Sequence, residues 1–157
     1  MSNSATFSLV AIRNFERATR KANWRDRLSW LTRSDNDLMS LDEILRCLPV
    51  KNRHYLGFQF VLVGKIVGSE GRYHEFDRAF LPRQFHTKDR WINVDKAHYK
   101  AISLPPVELL KIGQNYFVRD GNHRVSVARM HGQEFIDAYV TEISTPASLE
   151  GVSLEIC

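Results

Sequence analysis

Cysteine is nearly absent: Cys47 and Cys157 are the only two in 157 residues. They lie far apart and have no metal-ligand spacing, which argues against a zinc site and for a reducing compartment. No apolar run approaches the roughly 20 residues of a membrane span. The first residues also lack the cationic-then-apolar order of a signal peptide. The expected setting is cytoplasmic, with no membrane partner. Internal repeats and low-complexity tracts are missing too. Charge of one sign is not abundant: 22 Lys and Arg against 18 Asp and Glu give +4. A balance this mildly basic permits nucleic acid or anionic small molecules as partners and demands neither. The hydrophobic (43%) and charged (25%) fractions are those of a globular chain, with room for one domain and an extension.

Residues 1–10 are small and polar and read as loosely attached. From Ala11 to about Leu31, Ile12, Phe15, Ala18, Ala22, Leu28 and Leu31 recur at helical intervals. Arg13, Arg17, Arg20 and Lys21 sit among the remaining positions, with Arg25 and Arg27 beyond them. This is an amphipathic, cationic helix. It is either a solvated basic face or a contact for the nucleic-acid backbone or a partner. Ser40-Leu41-Asp42-Glu43 carries a capping-box signature opening a second helix that ends before Pro49. Lys51 to His54 read as a linker. The organisation expected is an N-terminal helical extension (1–54), a main domain (55–143) and a C-terminal tail (144–157).

Leu56 to Val67 is the strongest strand signal, rich in Val, Phe and Ile. Tyr73, Phe76 and Phe80 then fall on one face of an expected short helix, as core rather than as a base-stacking platform. Basic and acidic residues nearly balance between Ser69 and Arg90, so no basic groove is evident there. Val94 to Ile102 reads as a helix halted by Pro105-Pro106. Val107 to Ile112 and Tyr116 to Arg119 read as a hairpin turning at Gly113-Gln114-Asn115. A last strand, Phe135 to Val140, carries Ile136, Ala138 and Val140 on one face. From Thr141 the chain resembles a tail, broken by Pro146 and Gly151. The fold class is α+β: a small mixed sheet of four or five strands with packed helices, preceded by a helical arm.

The stretch Asn115–Gly132 (NYFVRDGNHRVSVARMHG) organises the rest. A strand breaks at Asp120-Gly121, an apolar helical run follows, and Gly132 stands where a helix C-terminal glycine belongs. The first N–H groups of that helix have no intrahelical partners, and its dipole places positive charge at the same end. Gly121 keeps the backbone open to a ligand, and Arg124 adds a planar fork of donors. The turn therefore reads as an anion site, with simple capping by Asp120 or Asn122 as the plainer alternative. His123 either donates to a phosphate when protonated, orients Asp120 when neutral, or packs on the sheet.

The segments FVLVGKIV and LPPVELLKIGQNYFVRDGNHRVSVARMHGQEFIDAYV, with a variable stretch between, resemble the ParB/sulfiredoxin superfamily over about residues 56–140. The resemblance is to its ParB-like nuclease or N-terminal domain. It implies that superfamily's small mixed sheet and a nucleotide-phosphate site on Gly121, Asn122, His123 and Arg124. The partitioning branch has G-E-R-R at this turn and the sulfiredoxins G-C-H-R. With Asn122 at the second position there is no thiolate for sulfinic-acid reduction. A third branch, which phosphorylates small metabolites, has D-G-x-x-R and a glutamate base after its first strand, a place similar to that of Glu70. The resemblance thus implies a nucleotide-binding phosphohydrolase or small-molecule kinase. Glu70 and Asp120 would be catalytic, and a nucleoside triphosphate or diphosphate with Mg2+ would be the cofactor. No protein metal site is expected. The alternatives are a DNA- or RNA-binding ParB-like module, with or without nucleolytic activity, and a nucleotide-responsive regulator without catalysis.

Overall fold

Alternation in Val107–Ile112 sends Leu109 to one side of the sheet and Leu110 to the other, and both are almost wholly buried. Apolar cover on both faces is therefore required. The computed structural model describes residues 2–83 and 85–145, and it supplies that cover from two directions. Among the described residues the helices are α1 (Ser2–Thr32), α2 (Leu41–Cys47), α3 (Lys88–Tyr99) and α4 (Asn122–Met130). The strands are β1 (Met39–Ser40), β2 (Asn52–Leu62), β3 (Ile66–Ser69), β4 (Val107–Ile112), β5 (Asn115–Asp120) and β6 (Phe135–Ser144). They form one mixed sheet in the order β1-β3-β5-β4-β6-β2. The pairs β1–β3, β3–β5 and β4–β6 are parallel. The hairpin β4–β5 and the pair β2–β6 are antiparallel. An α+β fold with a mixed sheet is thus present, with six strands where four or five were expected.

The larger core lies between one face of the sheet and helices α1, α3 and α4, with Phe15, Trp91, Leu109, Val125 and Val140 at its centre. The smaller core lies beneath α2, where Leu41 and Ile44 meet Leu110, Ile112, Phe117 and Ile143. Ser40 caps α2 as expected, its side chain accepting from the Glu43 N–H at 3.4 Å.

Several local expectations need correction. Residues 2–10 are not loosely attached; they form the start of α1, and Phe7 stacks on Tyr99 with ring centroids 6.1 Å apart. Lys51–His54 are not a linker. β2 begins at Asn52, which pairs with Ser144, so the expected boundary at 54/55 falls inside a strand. The expected strand Leu56–Val67 is two strands, because a 3-10 turn at Val63–Lys65 divides it and β3 leaves for the opposite end of the sheet. No helix carries Tyr73, Phe76 and Phe80. Only Tyr73–Glu75 makes a single 3-10 turn, and Phe76 then bridges to Pro82. The cause is Asp77, whose carboxylate accepts the N–H groups of Ala79 and Leu81 and folds the segment into a tight loop. The rings are nevertheless core: Phe76 and Phe80 are fully buried.

The helix expected over Val94–Ile102 starts earlier, at Lys88, and ends at Tyr99. The strand from Phe135 continues past Val140 to Ser144, so Thr141 begins no tail. Of the expected tail 144–157, residues 146–157 lie outside the described residues.

Candidate functional site

β5 ends at Asp120 and α4 begins at Asn122, leaving Gly121 alone to turn the chain. It does so at φ +109°, in the left-handed region. A Cβ on Gly121 would sit 2.6 Å from Val107 Cγ1, so the position requires glycine on two grounds. Val125 N–H then donates to Gly121 O at 3.0 Å, closing the first turn of α4. No side chain caps this helix, so its leading N–H groups face outward without one. Gly132 takes φ +68° at the other end, the left-handed C-terminal position expected of it.

The turn opens on a cleft of about 410 Å3. The structure brings together there all of Glu70, Asp120, Gly121, Asn122, His123 and Arg124. Glu70 comes from the residue after β3, 50 positions before Asp120 in the chain, and arrives because β3 and β5 are parallel neighbours. The cleft also holds Arg72 from the loop after β3, Arg90 and Asn93 from α3, and Arg119 from β5. With Arg124 this makes four guanidinium groups against the two carboxylates of Glu70 and Asp120. Arg119 Nε lies 3.8 Å from Glu70 Oε2.

These additional arginines were not apparent in the chain. Arg72 and Arg90 belong to a segment whose charges nearly cancel in sequence. In the fold, Asp77 is turned inward to Arg25 at 2.9 Å, and Glu75 lies between His86 at 3.4 Å and Arg72 at 3.9 Å, while Arg72 and Arg90 line the cleft. Only the adjacency of Arg119 to Asp120 was open to inspection.

Arg124 has a second duty. One Nη donates to the carbonyls of Pro105 (2.5 Å) and Pro106 (3.0 Å), and the other to Asp120 Oδ2 (2.8 Å). Three of its five N–H donors are therefore engaged in bracing the loop before β4 and the end of β5, and two remain. On its other side Arg124 walls a second pocket of about 240 Å3, whose lining includes Val94, Ile102, Leu104, Val127 and Ile136.

Asn122 and His123 are the unusual members. Asn122 is only 7% exposed, and its Oδ1 is buried without a hydrogen-bond partner. Both ring nitrogens of His123 are likewise buried and unpartnered. The imidazole packs edge-on against Phe76, with centroids 5.4 Å apart. Burial lowers its pKa to about 4; nearby Glu75 opposes the shift, and Arg90 and Arg72 add to it. His123 is therefore neutral at neutral pH, with one N–H donor and one acceptor. The site as it stands favours the neutral form over the protonated donor that is one of its expected roles.

Arg13, Arg17, Arg20 and Lys21 do not join this cleft. All four lie exposed along α1, which packs against α3 by way of Phe15 and Trp91. Among the described residues no group of three or more His, Cys, Asp or Glu side chains is placed to hold a metal ion, and no helix is long and apolar enough to cross a membrane. No family model matches the chain, and it has no significant match among curated proteins or solved structures.

Proposed function

We propose that the cleft at the start of α4 binds the phosphate groups of a nucleotide, in a nucleotide-dependent phosphohydrolase or small-molecule kinase of ParB/sulfiredoxin-like fold. One observation carries this reading. The first turn of α4 carries buried, unpartnered polar atoms on Asn122 and His123, two residues of the cleft lining, beside an uncapped helix end and four guanidinium groups. A buried polar atom without a partner costs about 1–3 kcal/mol, a penalty that a ligand rich in donors and acceptors removes. Asn122 Oδ1 accepts from such a ligand, or its amide turns over and donates. The smaller pocket across Arg124 sets apolar side chains such as Val94, Leu104 and Ile136 beside polar groups from His98, Ser103, Gln133 and Asp137, a mixture that suits a planar base with hydrogen-bonding edges. Together the two spaces are within the size range of small-molecule sites.

For the chemistry, Glu70 stands as the base that takes a proton from the attacking hydroxyl or water. Arg72, Arg90 and Arg119 would neutralise charge on the transferring phosphoryl group. Asp120 with bound phosphates would supply the kind of donor set that Mg2+ accepts, one carboxylate plus substrate oxygens. When bound there, Mg2+ would supply charge neutralisation between phosphates.

The test is isothermal titration with pyrophosphate and a panel of nucleoside diphosphates and triphosphates, with and without Mg2+. Arg90→Ala and Arg72→Ala are the probes, because both side chains are exposed whereas Arg124 also braces the fold. Each is expected to weaken binding at least tenfold, the loss of a charge-assisted hydrogen bond of about 1.5–3 kcal/mol. Glu70→Gln is expected to retain binding and lose turnover. Absence of binding by the wild type across the whole panel refutes the proposal.

A further inference from the structure

A second set of charges stands unanswered on the face of α1 turned away from the core. One side of this helix is buried through Ala11, Phe15, Ala18 and Ala22. Along the opposite side Arg13, Arg17, Arg20, Trp24, Leu28 and Leu31 follow one another at intervals of three and four, and all are exposed. Lys21 and Arg27 flank that line and are exposed too. Among the described residues none of these five cations is paired with a carboxylate. The cations that face inward are treated differently: Arg25 is held by Asp77 at 2.9 Å and Arg83 by Asp26 at 2.6 Å. The only acids on α1 are Glu16 and Asp26, and Asp26 is the one already engaged. Paired and unpaired charge are thus segregated by helix face.

Trp24 lies within this row and is 62% exposed. From Arg13 to Arg27 the cations extend over roughly 21 Å, about one or two per helical turn. We infer that this face binds single-stranded nucleic acid, with the cations on successive phosphates and the Trp24 indole stacked on an unpaired base. Five cations without a carboxylate partner select a polyanion. An exposed ring between them selects a strand whose bases are open, since duplex bases are already stacked on one another. A lipid surface fits less well. An interfacial helix inserts a continuous apolar face, and here that face of α1 is occupied by α3 and the sheet, leaving Leu9 and, at the C-terminal end, Trp24, Leu28, Trp30 and Leu31 as its exposed large apolar side chains. The inference is independent of the cleft at α4, which no α1 residue lines.

The experiment is fluorescence anisotropy of the full chain with a labelled oligothymidylate of about 20 nucleotides, a length chosen to exceed the binding-site size of one small domain. Salt is varied between 50 and 200 mM. For three to five phosphate contacts the log–log salt slope is expected between about −2 and −3.5. Trp24→Ala is expected to weaken binding about tenfold at fixed salt. The triple variant Arg13→Ala, Arg17→Ala, Lys21→Ala is expected to reduce the slope by about 2. All four positions are exposed, so unchanged thermal midpoints separate a binding effect from a folding one. A flat salt response or an unaltered affinity of Trp24→Ala overturns the inference. So does equal or tighter binding of a duplex, or of phosphatidylglycerol–phosphatidylcholine vesicles.

Discussion

Gly121→Ala tests the turn that positions the whole cleft, and the structure allows its effect to be resolved into two parts. The first is conformational. Gly121 holds φ +109°, where a residue with a Cβ is strained by about 1–3 kcal/mol. The second is steric. The new methyl would lie 2.6 Å from Val107 Cγ1 and 3.0 Å from Val107 Cβ, and Val107 is 1% exposed at the start of β4. Overpacking of that kind costs about 1–3 kcal/mol. The single substitution should therefore destabilise the fold by roughly 2–6 kcal/mol in urea unfolding. Val107→Ala alone should cost about 1–3 kcal/mol through lost burial and a small cavity. The double variant removes the overlap with Cγ1 but not the backbone strain, so the two losses should be subadditive by about 1–2 kcal/mol. Strict additivity would show that the methyl never meets Val107. A Gly121→Ala variant within 0.5 kcal/mol of wild type, the usual range for an inconsequential change, would refute the left-handed turn itself.

Three further outcomes follow from burial and hydrogen bonding elsewhere. Phe15→Ala should cost about 3–5 kcal/mol in the same assay, because Phe15 is fully buried and packs edge-on against Trp91 at 5.7 Å; a negligible effect would mean that α1 is not part of the core. Ser126→Ala should cost about 2–4 kcal/mol, since Ser126 Oγ accepts from Trp91 Nε1 at 2.9 Å and donates to the Phe80 carbonyl, leaving both buried and unpaired when it is removed. The pH dependence comes from His123, whose pKa is about 4 in the fold against 6.5 unfolded. Between those values only the unfolded chain takes the proton, so stability is full above pH 6.5, falls progressively towards pH 4 and then levels. With allowance for partial solvent screening the loss is about 2 kcal/mol. His123→Phe should flatten this window, and an unchanged urea-midpoint profile in that variant would assign the dependence to other groups.

Elements whose structure is fixed by neighbours in sequence were legible. Ser40 and Glu43 are three residues apart and cap α2 as their spacing requires. The hairpin β4–β5, Gly132 at the end of α4 and the buried row Ile136, Ala138, Val140 are all local patterns, and each is present. What failed depended on contacts between distant segments. Tyr73, Phe76 and Phe80 have helical spacing, yet Asp77 offers the backbone two hydrogen bonds that a helix does not use, and Arg25 from α1 holds that carboxylate in place. Phe58 and Phe60 mark β2 as strongly apolar, but β2 is the edge strand and these rings stay 49% and 70% exposed. Strand propensity records fit to a pleated surface and cannot report whether anything covers it. The seven residues of α2 suffice only for the part of that face under Leu110 and Phe117.

The same distinction accounts for the cleft. Its backbone half, the strand, glycine and helix start between Asp120 and Arg124, is a run of consecutive residues and was visible as a possible anion site. Its electrostatic half is assembled across the sheet: Glu70 arrives through parallel pairing of β3 with β5, and Arg90 through the packing of α3 on α4. Charge counting along Ser69–Arg90 gave near neutrality because it weighted every ion equally. In the fold Arg25 draws Asp77 aside, Glu75 lies 3.4 Å from His86 and 3.9 Å from Arg72, and Arg90 lines the cleft with no carboxylate partner among the described residues. Net charge over a segment therefore carries little information about the field at a site, which depends on which ions the fold has already paired. Arg124 makes the converse point. Its identity suggested a ligand contact, yet three of its donors hold Pro105, Pro106 and Asp120. Loss of binding in Arg124→Ala would thus conflate a broken turn with a lost contact, whereas Arg90, which sequence spacing did not mark and which has no ion-pair partner among the described residues, reports on the ligand more directly.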